Sequence, residues 1–283
     1  MNLSGLRLSV TLLTVIPWHA VQPGATDSPD GTPDGYPPGR VPLPRATVSA
    51  AMAWAPAVGL LLGVIASGAL LLAGRVLETG SLTAAGLAVA ALALLTRGLH
   101  LDGLADLADG LGSGKPARAA LDIMRRSDIG PLGTVTLVLT LLIQVAALSH
   151  AESAGQGRGP AALIGAVVTG RLALTWACRR GVAAARPDGL GALVAGSVRP
   201  AVAAAVTAMT LAAAIAAVAI PPAVGGAPPG WTLPLAVLAG LAAAYAVERH
   251  AVHRLGGITG DVLGALAEIA TTVTLVVAAM GRA

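Results

Sequence analysis

An acidic segment holds the residues of this chain that are best suited to chemistry. Half of the ten aspartates fall within 27 residues, and three of them, Asp102, Asp106 and Asp109, are spaced four and three residues apart. On an α-helix this spacing places the three carboxylates within about 60 degrees of arc on one face. Like charges stacked in this way repel, so the spacing indicates that a cation offsets the repulsion.

The cation that best fits these carboxylates is Mg²⁺. It is a hard ion that proteins hold through a few carboxylates, while water and substrate phosphate oxygens complete its shell. The alternative is an amphipathic helix with a solvated acidic face, but such a face normally uses Glu and Lys, which form helices better than Asp. The sequence therefore predicts a Mg²⁺ site at Asp102, Asp106 and Asp109.

A basic segment follows the aspartates and ends in the run Arg-Arg-Ser-Asp at residues 125–128. The planar guanidinium group of arginine matches the geometry of phosphate oxygens, so acidic and basic segments side by side are typical of metal-assisted phosphoryl or nucleotidyl transfer. Anchoring of the chain at a membrane surface is the alternative role for these cations. A phosphate-binding role is favoured for Arg125, Arg126, Ser127 and Asp128.

Two further polar residues are candidates for the site. His100 lies about 160 degrees from Asp102 if one helix contains both, so a substrate contact, or a satisfied interfacial histidine, is favoured over joint metal binding. Arg171 falls within an apolar segment, where a charge costs about 2.5–3.5 kcal/mol on insertion scales and is expected to face the bundle interior. The position of Arg171 is equally compatible with a functional role and with a structural ion pair.

A glycine-rich turn near the C-terminus is a third candidate. Residues 256–261 read Gly-Gly-Ile-Thr-Gly-Asp. Glycine lets the backbone approach a ligand closely, and the side chains of Thr259 and Asp261 offer oxygens to a metal or a hydroxyl group. A turn before the last apolar segment explains the glycines equally well.

These residues must be positioned by membrane-spanning helices. Of the 283 residues, 55% are hydrophobic and only 11% are charged, and the mean hydropathy is +0.78. The charged fraction is less than half of that in soluble domains. Apolar runs that can cross about 30 Å of hydrocarbon predict an all-α, polytopic membrane helix bundle of about seven spans. The spans are expected near residues 50–74, 80–96, 131–150, 160–178, 200–222, 231–247 and 262–280.

The N-terminal region adds two features to this bundle. The apolar run from Leu6 to Trp18 is short and lacks the strong basic start and the A-x-A-type cleavage site of a signal peptide, which predicts an interfacial or re-entrant helix. Residues 19–46 are rich in Pro, Gly and Asp and are predicted to form a loop. No second domain is indicated, so residues 1–283 are interpreted as one membrane-embedded domain.

The cations predict how the bundle is oriented. The predicted loops 19–46, 97–130, 179–199 and 248–261 lie on one side and carry thirteen Lys and Arg residues, whereas the other side carries three. Because cytoplasmic loops are enriched in Lys and Arg, the acidic segment is predicted to face the cytoplasm.

Composition excludes several classes of function. The single cysteine, Cys178, cannot build a disulfide framework or a cysteine-based metal cluster within the chain. With no Phe, two Tyr and four Trp, the aromatic platforms that stack on bases are nearly absent. Nucleic acid is therefore not an expected partner, and the net charge of +4 is explained by loops at a membrane surface.

Three ordered motifs resemble the cobalamin synthase family, the adenosylcobinamide-GDP ribazoletransferases. They are Arg-Gly-Leu-His-Leu-Asp-Gly-Leu-Ala-Asp-Leu-Ala-Asp-Gly at 97–110, Ile-Met-Arg-Arg-Ser-Asp-Ile-Gly-Pro-Leu-Gly at 123–133 and Gly-Gly-Ile-Thr-Gly-Asp-Val-Leu-Gly-Ala at 256–265. The stretch Arg-Pro-Asp-Gly-Leu-Gly at 186–191 also matches. The resemblance covers most of the chain and implies a multi-pass enzyme of the bacterial cytoplasmic membrane.

The resemblance implies Mg²⁺-dependent transfer of the phosphocobinamide group from adenosylcobinamide-GDP to α-ribazole or its 5′-phosphate, with release of GMP. Asp106 and Asp109 are then the catalytic candidates, and Asp109 is predicted to deprotonate the ribazole hydroxyl. Homo-oligomers and contacts with other cobalamin-pathway proteins are compatible with this role. The implied substrate-binding residues are Arg97, His100, Arg125, Arg126, Ser127, Asp128, Arg171, Gly257, Thr259 and Asp261.

A transporter or permease for an anionic small molecule is the alternative. It explains the spans and the intramembrane charges of Arg171 and Glu268. It also predicts polar groups near mid-membrane and paired broken helices, whereas the carboxylates here cluster at one predicted rim of the bundle. The enzyme interpretation is therefore preferred.

Overall fold

The computed structural model describes residues 3–16, 43–154, 157–219 and 232–280. Within these ranges the regular structure is helical, and the extended pairings are two isolated bridges, Arg179 with Val198 and Ala184 with Ile258. The predicted all-α fold is confirmed. The helices are α1 (Leu3–Leu13), α2 (Arg45–Leu71), α3 (Ser81–Leu95), α4 (Leu99–Gly112), α5 (Ala117–Ile123), α6 (Pro131–Ser153), α7 (Arg158–Ala177), α8 (Gly189–Val194), α9 (Pro200–Ala219), α10 (Thr232–Leu255) and α11 (Gly260–Ala279).

Six of the described helices are long and apolar enough to cross a membrane: α2 with its π-helical extension Leu72–Val76, α6, α7, α9, α10 and α11. The predicted span at 80–96 corresponds to α3, whose 15 residues reach about 22 Å and fall short of a bilayer core. α3 and α4 meet the criterion only as a pair that is bent by 88°. The prediction of about seven spans is confirmed as six, or seven with this pair.

The bend between α3 and α4 arises from two consecutive residues in the left-handed region. Arg97 has φ 53° and Gly98 has φ 66°. The Gly98 amide donates to the Ala93 carbonyl at 2.7 Å, which closes the end of α3. α4 consequently leaves α3 almost at a right angle and packs against α11 and α6.

Small residues let the long helices pack closely. A Cβ atom on Gly59 of α2 would lie 2.8 Å from the carbonyl oxygen of Val167 in α7, and one on Gly170 of α7 would lie 2.7 Å from that of Ala267 in α11. Such contacts are typical of membrane bundles. The hydrophobic effect does not hold helices together in lipid, so small residues at the interfaces allow the close van der Waals packing that does. α7 and α11 are the most buried spans, whereas α6 and α9 expose most of their length, as expected of helices that face lipid.

The short N-terminal helix is confirmed as α1, which packs on α2. α1 begins at Leu3, before the predicted run from Leu6 to Trp18. It also ends earlier than that run, since residues 14–16 are already non-helical. Most of the predicted loop 19–46 lies outside the described residues. Its last residues belong to the first turn of α2, which begins at Arg45.

Candidate functional site

α4 presents the acidic face that the sequence predicts. The helix is unbroken from Leu99 to Gly112; Asp102 is exposed, while Asp106 and Asp109 are half-buried. Its other face packs on α11 through Gly103, where a Cβ atom would lie 2.7 Å from the backbone oxygen of Asp261 and 2.9 Å from its Cα atom. The missing side chain therefore brings Asp261 next to the carboxylates of α4.

Asp109 is turned toward the start of α6. Its Oδ2 atom accepts a hydrogen bond from the Gly130 amide at 2.7 Å, and its Oδ1 atom accepts one from the Gly133 amide at 2.9 Å. The first amides of a helix lack partners within the helix and carry partial positive charge, so a carboxylate stabilises this end. Both oxygens of Asp109 are thereby engaged by the protein.

Asp106 lies where the negative charges accumulate. Burial, followed by the charges of Asp102, Asp261 and Asp109, raises the pKa of Asp106 from 3.8 to about 7, and Arg186 opposes this shift. The ionised carboxylate is therefore disfavoured near neutral pH unless a cation approaches. A divalent cation at the acidic face would relieve this repulsion.

The raised pKa of Asp106 predicts a pH-dependent effect of Asp106→Asn on stability without metal. The carboxyl group of Asp106 stays protonated up to about pH 7 in the folded protein but only up to about pH 4 in the unfolded chain. The free energy of unfolding of the wild type therefore decreases as the pH rises from about 4 to about 7. Asp106→Asn has no titrating carboxyl group at this position, so its free energy of unfolding does not decrease in this way. After allowance for solvent screening we expect Asp106→Asn to gain about 1–2 kcal/mol, or about 2–4 °C in Tm, at pH 8 relative to pH 5.

Thermal unfolding in detergent with EDTA at the two pH values measures this effect. Asp122→Asn, at an exposed carboxylate on α5, is the matched control and should show no pH-dependent gain. A gain for Asp106→Asn that is equal at pH 5 and pH 8 would contradict the assigned environment.

A short backbone pairing brings a further arginine to the site. The Ala185 amide donates to the Ile258 carbonyl at 2.9 Å, and the Ile258 amide donates to the Ala183 carbonyl at 2.9 Å. This pairing places Arg186 beside the start of α11, where its Nη1 atom lies 3.6 Å from Oδ2 of Asp261. The Nη2 atom of Arg186 donates to the Leu121 carbonyl at 2.6 Å.

The pairing also explains why residue 257 in the C-terminal turn is a glycine. A Cβ atom on Gly257 would lie 2.5 Å from the carbonyl oxygen of Ala183. Gly257 therefore permits contact between two backbone segments and does not line the cavities described below. Thr259 caps α11, since its hydroxyl accepts from the Val262 amide at 3.2 Å, and it donates to Asp261 at 3.2 Å.

A cavity of about 330 Å³ opens between α4 and α11, and we call it the α4–α11 cavity. Apolar side chains of α1, α2 and α7 form part of its wall. Arg125 in this cavity makes a two-oxygen ion pair with Asp188 at 2.8 and 2.9 Å. The pair is largely exposed, so a substrate phosphate can replace the carboxylate at little cost. The polar lining residues are His100, Asp102, Arg125, Arg186, Asp188, Thr259 and Asp261.

A second cavity of about 420 Å³ lies on the other side of the acidic face, between α4 and α6, and we call it the α4–α6 cavity. Asp106 and Asp109 line it together with Lys115, Arg126 and Asp128. Asp102 lines the α4–α11 cavity and Asp106 lines the α4–α6 cavity, so the acidic face borders both. Each of them contains carboxylates and cations.

The remaining predicted residues lie outside these two cavities. Arg97 is exposed in the bend before α4, and Ser127 is exposed after α5. Arg171 is buried behind His100, with its Nη2 atom 3.5 Å from Nδ1 of the imidazole. Arg186 and Asp188 line the α4–α11 cavity but are absent from the predicted site, although the matching stretch at 186–191 contained both.

The residues present suit a Mg²⁺ ion whose coordination shell is completed by oxygens of the substrate. Among the described residues, no three His, Cys, Asp or Glu side chains are arranged to hold an ion by themselves. Mg²⁺ commonly uses one or two carboxylates and takes its other oxygens from water and phosphate. Asp102 and Asp106 fit that requirement, whereas the carboxylate of Asp109 is held by the backbone amides at the start of α6.

The fold is that of a polytopic membrane protein, and the two cavities beside α4 are lined by carboxylates and cations. The chain belongs to the cobalamin-5-phosphate synthase family, which it matches over residues 5–279. It is 43% identical to the adenosylcobinamide-GDP ribazoletransferase of Frankia casuarinae, over 97% of this chain and 94% of that protein.

Two other relatives carry the same name. The Nocardioides protein is 38% identical over 84% of this chain and 90% of its own length, and the Allorhizobium ampelinum protein is 38% identical over 62% and 64%. No solved structure shows significant similarity to the chain. Family membership does not favour the alternative of a transporter.

Proposed function

We propose that this chain transfers the phosphocobinamide group of adenosylcobinamide-GDP to α-ribazole or its 5′-phosphate during cobalamin synthesis. A ribazole hydroxyl oxygen bonds to the phosphorus that carries cobinamide, the pyrophosphate bond to GMP breaks, and the hydroxyl proton passes to a carboxylate. The products are GMP and adenosylcobalamin or its 5′-phosphate. Support comes from family membership along nearly the whole chain and from the carboxylates that face Arg125 and Arg186.

Two observations support Asp106, in place of Asp109, as the general base. Both oxygens of Asp109 accept backbone hydrogen bonds, which occupy about two of its four acceptor positions and hold the carboxylate toward α6. In the metal-free site the pKa of Asp106 is raised to about 7; a Mg²⁺ ion bound to one of its oxygens would lower this pKa, and the other oxygen would then accept the proton.

The two cavities suggest how the substrates are arranged. The α4–α11 cavity takes the pyrophosphate of adenosylcobinamide-GDP, where Arg125 and Arg186 bind its oxygens. The α4–α6 cavity takes the ribazole, because only this cavity is lined by Asp106; Lys115 and Arg126 there suit a 5′-phosphate. The ribazole hydroxyl would then reach the phosphorus across the acidic face of α4, where Asp102 is exposed.

Asp102 and Asp106 are the proposed ligands of Mg²⁺. When bound, the ion stabilises negative charge on the pyrophosphate and on the departing GMP. We place the protein in the bacterial cytoplasmic membrane with this site toward the cytoplasm, supported by the thirteen cations on that side against three on the other.

Product analysis of the purified protein in detergent tests the proposed function. Adenosylcobinamide-GDP and α-ribazole should together yield GMP and adenosylcobalamin in equal amounts, and omission of either substrate should abolish both products. Detergent removes any gradient, so a transporter would form neither. A folded protein that yields no product under these conditions would contradict the proposal.

Removal of the metal should stop the reaction. We expect EDTA to reduce GMP release to background, because Arg125 and Arg186 alone then face the charges of two phosphate groups and of the acidic face. Excess Mg²⁺ should restore the rate. EDTA that has been saturated with Mg²⁺ is the control and should leave the rate unchanged; equal rates with free EDTA and with this control would exclude a metal requirement.

A further inference from the structure

A line of buried polar side chains leads from the α4–α11 cavity into the bundle. His100 of α4 is 3% exposed and lines the cavity, and Arg171 of α7, also 3% exposed, lies behind it. Farther inside, Gln144 of α6 donates to Glu268 of α11 at 2.9 Å. Buried polar groups of this kind in a membrane protein are rare and usually functional.

Arg171 connects the two ends of this line. Its Nη2 atom lies 3.5 Å from Nδ1 of His100, and it shares a cavity of about 20 Å³ with Gln144 and Glu268. A volume of that size holds about one water molecule. The guanidinium thus lies between a carboxylate and an imidazole.

Hydrogen-bond chemistry fixes the state of the imidazole. An arginine guanidinium has donors and no acceptor, so the His100 nitrogen that faces Arg171 has to be an acceptor. Nδ1 is therefore unprotonated, and the neutral ring carries its hydrogen on Nε2. Nε2 is buried and has no hydrogen-bond partner among the described residues. A buried donor without a partner is uncommon and calls for a partner that the described residues do not supply.

We infer that Arg171 holds His100 in the neutral Nε2–H tautomer, so that His100 donates a hydrogen bond to a phosphate oxygen of the substrate in the α4–α11 cavity. This inference rests on the proposed function. Arg125 and Arg186 in the same cavity supply charge, whereas the neutral imidazole supplies a directed donor without adding to that charge. His100 is then a substrate-binding residue and Arg171 a positioning residue.

Two substitutions of His100 test the donor. The side-chain amide of His100→Gln can place an N–H group near the position of Nε2, whereas His100→Met fills similar space without a donor. We expect His100→Met to lower kcat/KM for adenosylcobinamide-GDP about 10–100-fold and His100→Gln to lower it less than about 3-fold. Equal loss in both variants, or no loss in His100→Met, would overturn the assigned contact.

The tautomer is tested separately from activity. In protein labelled with ¹⁵N-histidine, the ring signals that disappear in His100→Gln belong to His100, one of five histidines. They should show an unprotonated Nδ1 and a protonated Nε2 in wild type, and a mixture of tautomers in Arg171→Met/Glu268→Gln, which leaves no buried charge unpaired. Any other state in wild type overturns the inference even if GMP release proceeds. Absence of GMP release with the predicted tautomer would instead contradict the proposed function.

Discussion

Replacement of Asp106 by Asn is expected to lower kcat for GMP release by about 10²–10⁴-fold, the usual contribution of a general base. Asparagine keeps the size of the side chain but can neither accept the hydroxyl proton nor supply charge to Mg²⁺. Because Asp106 is disfavoured as an anion in the metal-free protein, the folded structure should tolerate the change well. Steady-state GMP release at saturating Mg²⁺ and substrates measures the effect.

Asp122→Asn is the matched control for this variant. Asp122 is exposed on α5 and lines neither cavity, so its replacement should leave kcat within about twofold of wild type. Turnover and Mg²⁺ dependence that are unchanged in Asp106→Asn would show that the acidic face of α4 is not the site of transfer.

The second large effect is expected from Gly103→Ala, a change of one methyl group. The new Cβ atom would lie 2.7 Å from the backbone oxygen of Asp261 and 2.9 Å from its Cα atom, and backbone cannot move as a side chain does. α4 has to shift away from α11, which moves Asp106 away from Asp261 and Arg186. Overpacking of this kind costs about 1–3 kcal/mol. A displacement of about 1 Å at a reaction site can lower the rate about 10²-fold.

Gly86→Ala is the control for the effect of replacing a helical glycine by alanine without a steric clash. Gly86 lies within α3, and a Cβ atom there would have no heavy atom within 4 Å. We expect wild-type kinetics and an unchanged or slightly higher Tm, because alanine favours helix over glycine. Wild-type kcat/KM and Tm in Gly103→Ala would contradict the close contact between α4 and α11.

The sequence predicts the spans well because each of them depends on local composition. α6, α7 and α11 begin and end within about three residues of the predicted runs, since an apolar stretch in lipid has few alternatives to a helix. The acidic face of α4 follows in the same way from the spacing of Asp102, Asp106 and Asp109. Both inferences need only residues that are neighbours along the chain.

Other features depend on contacts between distant segments and could not be predicted from spacing. Asp109 looks equivalent to Asp106 on one helix, yet the amides of Gly130 and Gly133 engage it only after α6 packs nearby. Arg186 reaches the site through the pairing of residues 183–185 with Ile258. The bend at Arg97 and Gly98 likewise requires a left-handed conformation at a non-glycine residue, which the sequence does not indicate.

A structure of the protein with adenosylcobinamide-GDP and Mg²⁺ bound tests most directly where transfer takes place. We predict the pyrophosphate in the α4–α11 cavity, within hydrogen-bond distance of Arg125 or Arg186, and Mg²⁺ density at Asp102 and Asp106. Substrate density in the separate groove lined by Trp176 and Tyr245, with no ion at α4, would contradict this site.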